Sequence, residues 1–126
     1  MPNVNQFKFS RNRSIRVAIL EDGALQSICR LIDTLNDMQV AIVVKLPEME
    51  ISSISADVDR CADPWEKEAA ADLEALTGVR IGPGMTKIFK GLVREQTADS
   101  QILFMLEEAC HGIILTSTKD MAAMVP

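Results

Sequence analysis

Tyrosine is absent from this 126-residue chain, histidine and tryptophan occur once each, and aromatic residues make up only 4%. A single imidazole, His111, excludes any metal motif built on a histidine pair and leaves one candidate imidazole base. No stretch approaches the roughly 18 consecutive apolar residues of a membrane span. The opening MPNVNQFKF also lacks the apolar region of a secretion signal, so a cytoplasmic location is expected. Three cysteines, an odd number, do not read as a disulfide framework, and reduced thiols are expected. A net charge of −5 provides no general basic surface for phosphate contacts, so nucleic acid is not an expected partner. The chain has no Gly-x-Ser-x-Gly elbow, no Walker loop and no dinucleotide fingerprint.

What is present is ordinary globular material: 48% apolar and 25% charged residues, enough to bury one core without a staple. Residues 1–13 are polar, with Phe7 and Phe9 their only large aromatics, and read as an N-terminal arm that could end in an edge strand, 14–119 as a single domain, and 120–126 as a C-terminal tail. From Ser14 the pattern has period two, with Ile15, Val17 and Ile19 on one face of a first strand. Glu21-Asp22-Gly23 turns the chain into a second strand over Leu25 to Asp33. After Asn36-Asp37, the residues Met38, Val40, Ile42, Val44 and Leu46 alternate strictly with their neighbours in a third strand. A fourth runs from Glu50 to Asp59, and its apolar phase slips between Ile51 and Ile54, which predicts a bulge near Ser52-Ser53.

The period then becomes helical. Asp63-Pro64-Trp65-Glu66 combines an N-cap acid, a proline at the first helical position and a glutamate three residues on, a capping-box start for a helix to Thr77. Trp65, Ala69, Leu73 and Leu76 form its apolar stripe. A second helix carries Met85, Ile88, Phe89, Leu92 and Val93 inward, with Lys87, Lys90 and Arg94 in water. A third begins near Asp99-Ser100 and is apolar at Ile102 to Leu106, Ala109, Cys110, Ile113 and Ile114, so it is expected to be buried on most sides. The prediction is an α+β fold: a four-stranded antiparallel meander followed by three helices packed on one sheet face.

Three groups of residues could carry chemistry. Gly82-Pro83-Gly84 precedes the second helix, with Arg80 and Lys87 beside it, as an anion-binding segment would be arranged. Pro83 has no N–H to give, however, and a simple bend between two packed helices is the preferred reading. Cys61 and Asp63 stand where a strand hands over to a helix, and with Cys110 or His111 they are metal-ligand types. Cys29 is placed inside a strand, and buried free cysteine is a common core residue, so the structural reading of the thiols is preferred. Glu107, Glu108 and His111 read as a solvated strip on the last helix.

Several strings, "EDG" after the first strand, "RLIDT" in the second, "DVDRCADPW", and above all "GVRIGPGM", resemble the bacterial family catalogued as domain of unknown function 2889. The resemblance spans about Arg13 to Thr118 and implies no particular activity. Members of that family open the last helix with Cys-Thr-His, where this chain has Asp99-Ser100-Gln101, which counts against a metal or thiol role at that point. The order of sheet then helices, with a cysteine at the junction, is also similar to iron–sulfur scaffolds of the NifU type. Those scaffolds place another cysteine at the start of the last helix, where this chain has Asp99.

Two functional expectations follow. The first is a non-catalytic binding or accessory domain needing no cofactor. It would form a homodimer or take a protein partner through the outer sheet face, where Ala18, Leu20, Ala41 and Val43 point away from the helices. The alternative is a protein that handles a metal or an iron–sulfur cluster, using Cys61 and Asp63 with Cys110 or His111.

Overall fold

The computed structural model describes residue 3 and residues 5–123, with side chains as far as Lys119. Four strands, β1 (Arg11–Ile19), β2 (Leu25–Asp33), β3 (Asp37–Lys45) and β4 (Glu50–Arg60), pair antiparallel in chain order. Helix α1 (Trp65–Asp72) runs into a 3₁₀ turn (Leu73–Leu76), and α2 (Met85–Leu92), the short α3 (Glu95–Ala98) and α4 (Gln101–Ala123) follow. The fold is therefore α+β, with the helices on one face of the sheet. Among the described residues, no helix is long and apolar enough to cross a membrane.

The alternation in β2 and β3 places Leu25, Cys29, Leu31, Met38, Val40, Ile42 and Val44 under the helices, all buried. Helix α4 lies across β2 and β3 and covers them with Ile102, Met105, Leu106, Ala109 and Ile113. The Ala69, Leu73 and Leu76 stripe of α1 and its 3₁₀ turn closes over β4. Each fully buried leucine or isoleucine contributes about 1.5–3 kcal/mol relative to exposure, so this slab is the main source of stability. The register of β3 on β4 shifts between Val43 and Val44, whose partners are Ser53 and Ile51, so the bulged residue is Ser52, as the phase slip predicts.

Five details depart from the sequence reading. The first strand starts at Arg11, so residues 11–13 belong to the sheet. Ile19, although on the face that carries α4, is 74% exposed, because α4 sits mainly over the central strands β2 and β3. Ile88 and Leu92 of α2 are exposed, and its inward side is Met85 and Phe89 alone. On α4, Phe104 and Leu115 are 42% and 69% exposed, so that helix keeps one open flank. The tail expected over 120–126 is helical backbone as far as Ala123, and residues 124–126 lie outside the described residues.

Candidate functional site

The Gly-Pro-Gly segment is held by backbone bonds to the start of β4. Ile51 N–H donates to Val79 O at 2.9 Å, Ile81 N–H to Met49 O at 2.9 Å and Gly78 N–H to Ile51 O at 2.8 Å, and Arg80 is bridged to Glu50. Gly84 then adopts the left-handed region, φ +84°, immediately before α2, and Gly82 has φ +148°. A Cβ built at either glycine meets nothing within 4 Å, so the glycines provide backbone conformation here and not room for a close neighbour. Met85 N–H, the first of α2, already donates to Gly82 O at 3.1 Å. Arg80 and Lys87 are both exposed. The geometry is that of a pinned bend with an open surface around it.

The cysteines fall apart from one another. Cys29, on β2, and Cys110, on α4, are buried in the core. Burial pushes the Cys29 thiol up to about 11, with Arg13 pulling down and Glu108 adding to the rise. Burial likewise pushes Cys110 up to about 12, with Glu107 adding. Both thiols are therefore held in the protonated form, the less reactive one. Cys61 is half-buried just beyond β4. The Asp63 carboxylate accepts the Trp65 N–H at 2.9 Å, the capping role read from the sequence. His111 is exposed on α4. Among the described residues, no group of three or more His, Cys, Asp and Glu side chains is placed to hold a metal ion, so Cys61, Asp63, Cys110 and His111 are not brought together as one.

Glu107 and Glu108 are half-buried and not a fully solvated strip. Burial raises the Glu107 carboxyl above its ordinary value, opposed by Lys90 and His111.

Three polar clusters escaped the sequence reading. Asp33, at the end of β2, accepts N–H groups from Leu35 at 2.8 Å and Asn36 at 2.6 Å, the Asn36 amide at 3.0 Å, and Arg11 at 3.1 Å. Arg60 donates to Asp33 O at 2.9 Å, so one carboxylate and its loop tie together the ends of β1, β2 and β4. In the second cluster, Arg94 forks onto Asp72 at 2.7 and 2.8 Å while its guanidinium lies 4.6 Å over the Trp65 ring, so it is not simply in water. Buried Thr97 donates to Asp72 at 2.6 Å and accepts the indole N–H at 3.3 Å, which joins α1 to α3. The third is Glu66. Its buried carboxylate accepts Gln101 N–H and Ile102 N–H, both at 3.1 Å, so it caps α4 and not its own helix. All three clusters are satisfied internally, as structural networks are.

An open apolar groove of about 650 Å³ lies between the β3–β4 connection and α4, lined by Leu46, Pro47, Met49, Ile81 and Ile114 among others. Its two hydroxyls are already engaged: Thr118 donates to Ile114 O at 2.9 Å and Ser117 contacts Met49 Sδ at 3.8 Å. It thus lacks the convergent polar groups that orient a substrate.

Among the described residues, no helix covers the outer sheet face. Cross-strand rows there read Arg16, Ile28, Ala41, Ser55 and Ala18, Gln26, Val43, Ser53. Ile28, Ala41 and Val43 form an apolar centre, half-buried by their neighbours, within a ring that includes Arg16, Arg30, Lys45 and Asp57. Leu20 falls in the turn beyond β1 and is not part of the strand rows. No family model matches the chain, and neither a curated protein nor a solved structure matches it.

Proposed function

We propose that the chain is a small non-catalytic binding or accessory domain that self-associates, or takes a protein partner, through the outer face of its sheet. The observation that carries this reading is the one-sided packing. Every helix that contacts the sheet lies over the face containing Leu31, Val40 and Ile42, which leaves Ile28, Ala41 and Val43 on the other side without cover. An apolar centre with a polar rim is the usual anatomy of a modest interface. The resemblance to domain of unknown function 2889 adds no activity to this reading.

Size-exclusion chromatography with light scattering tests it. The wild type runs as a dimer at tens of micromolar, and Val43→Glu, which places a charge at the centre of the face, runs as a monomer with an unchanged far-ultraviolet circular dichroism spectrum. A monomeric wild type, or a Val43→Glu dimer, contradicts the assignment of that face to self-association.

A further inference from the structure

Among the described residues nothing pairs with the outer edge of β1, a second surface that adjoins the outer face at Arg16. Its free backbone groups follow from the turns at its two ends. Leu20 N–H donates to Ala24 O at 2.8 Å, and Thr34 N–H donates to Ser10 O at 3.1 Å, so Leu20–Ala24 and Ser10–Thr34 are hydrogen-bonded pairs. Antiparallel pairing alternates, and β1 stays in unbroken register on β2 from Arg11–Asp33 to Ile19–Leu25. Arg11, Arg13, Ile15, Val17 and Ile19 therefore turn both N–H and C=O away from the sheet.

The opposite edge is guarded in ways this one is not. The β4 register is interrupted at two places, its first residues are covered by the Arg80 bridge, and it bears Asp57 and Asp59. Bulges, cover and charge are the usual means of closing an edge. On β1 there is no bulge against β2, and Ile15 and Ile19 lie exposed on the side of the sheet that carries α4 and its exposed Leu115. Between Ser10 and Leu20 the chain carries three arginines and no acid, although its net charge is −5. Arg11 is committed to Asp33, while Arg16 stands exposed on the outer side.

We propose that the β1 edge accepts, as a fifth strand, an extended segment of another protein in which apolar and acidic residues alternate. Its apolar side chains lie beside Ile15, Val17 and Ile19, and its carboxylates face Arg16, while the backbones exchange the hydrogen bonds left open on β1. A second copy fits less well. Two β1 strands in register would set arginine-bearing ribbons together without an acid to balance them, and the guarded β4 edge offers no free template.

The test uses the full chain, labelled with nitrogen-15, and a synthetic octapeptide of alternating valine and glutamate with blocked ends. The expected result is shifts and slowed hydrogen exchange at the amides of Arg13, Ile15, Val17 and Ile19, saturating with peptide. Binding is at least tenfold weaker for Arg16→Glu and for Ile19→Asp, both changes at exposed side chains. It is likewise at least tenfold weaker for a peptide N-methylated at its valines, which cannot donate to the edge. Four results overturn the proposal: equal binding of a valine–lysine peptide, equal shifts with a short single-stranded DNA, shifts centred on Ile28 and Val43, or edge amides already protected in a dimer that dissociates on dilution. The third leaves the outer-face reading standing while removing this one.

Discussion

The carboxylate of Glu66, in the first turn of α1, receives the first backbone N–H groups of α4, from Gln101 and Ile102, at 3.1 Å each. Two helices are joined by one buried side chain that reaches across 35 residues of chain, and the positive end of the longest helix finds its counter-charge there. Replacing Glu66 with alanine leaves the buried Ile102 N–H and the part-buried Gln101 N–H unpaired. The expected loss is about 2–3 kcal/mol, read by urea denaturation, with Glu66→Gln recovering roughly half because one acceptor survives.

The carboxylates also set opposite pH slopes. Burial pushes Asp33 up, but the N–H groups of Asn36, Leu35 and Arg11 outweigh it and hold the group below its ordinary 3.8. Asp72 is held below 3.8 chiefly by Arg94. For both, the unfolded chain binds the proton more readily, so their stabilisation is complete above pH 3.8 and is lost as pH falls through the folded value. Glu66 is raised above 4.5 by burial, so its contribution instead declines as pH rises through that region. Asp33→Asn should lower stability at neutral pH and flatten the decline below pH 3.8. An acid limb of unchanged slope in this variant would place the acid-sensitive groups elsewhere.

Trp65 is half-buried, with its indole N–H on Thr97 and Arg94 over its ring. Trp65→Ala should cost about 2–3 kcal/mol, below the 3–5 of a fully buried tryptophan. Thr97→Val, which removes the hydroxyl between Asp72 and the indole, should cost about 1–2 kcal/mol. Fluorescence of the wild type should lie between that of buried and free indole and shift to the red in Thr97→Val.

At Gly84 the backbone has φ +84°, and no atom stands near enough to meet a side chain. Gly84→Ala should therefore cost about 1–2 kcal/mol through conformation alone. Phosphate should leave the melting temperature of the wild type unchanged. A phosphate-dependent rise that disappears in both Arg80→Ala and Lys87→Ala would instead make Arg80, Gly82, Gly84 and Lys87 an anion site.

How much was legible in the sequence varied with how local the cause was. Strand β2 agrees at both ends with its alternation, and the Ser52 bulge was visible because a single extra residue shifts the apolar phase. Arg11 to Arg13 carry no apolar alternation, so an edge strand at the end of the arm could be raised from the sequence, but their place within β1 is decided by pairing with Leu31 to Asp33. Glu66 was legible as a cap but not as the cap of a helix 35 residues away, which only tertiary packing determines. The four-residue α3 is too short to show a period. The exposure of Ile19 depends on where α4 lies across the sheet, which no single strand's pattern encodes.

The outer sheet face is tested most directly by an isotope-filtered NOE experiment on an equal mixture of carbon-13-labelled and unlabelled chain. Contacts from the methyl groups of Ile28, Ala41 and Val43 to protons of the unlabelled copy are the predicted result. Their complete absence at a concentration where light scattering reports a dimer would contradict the account, because the copies would then be meeting through some other surface.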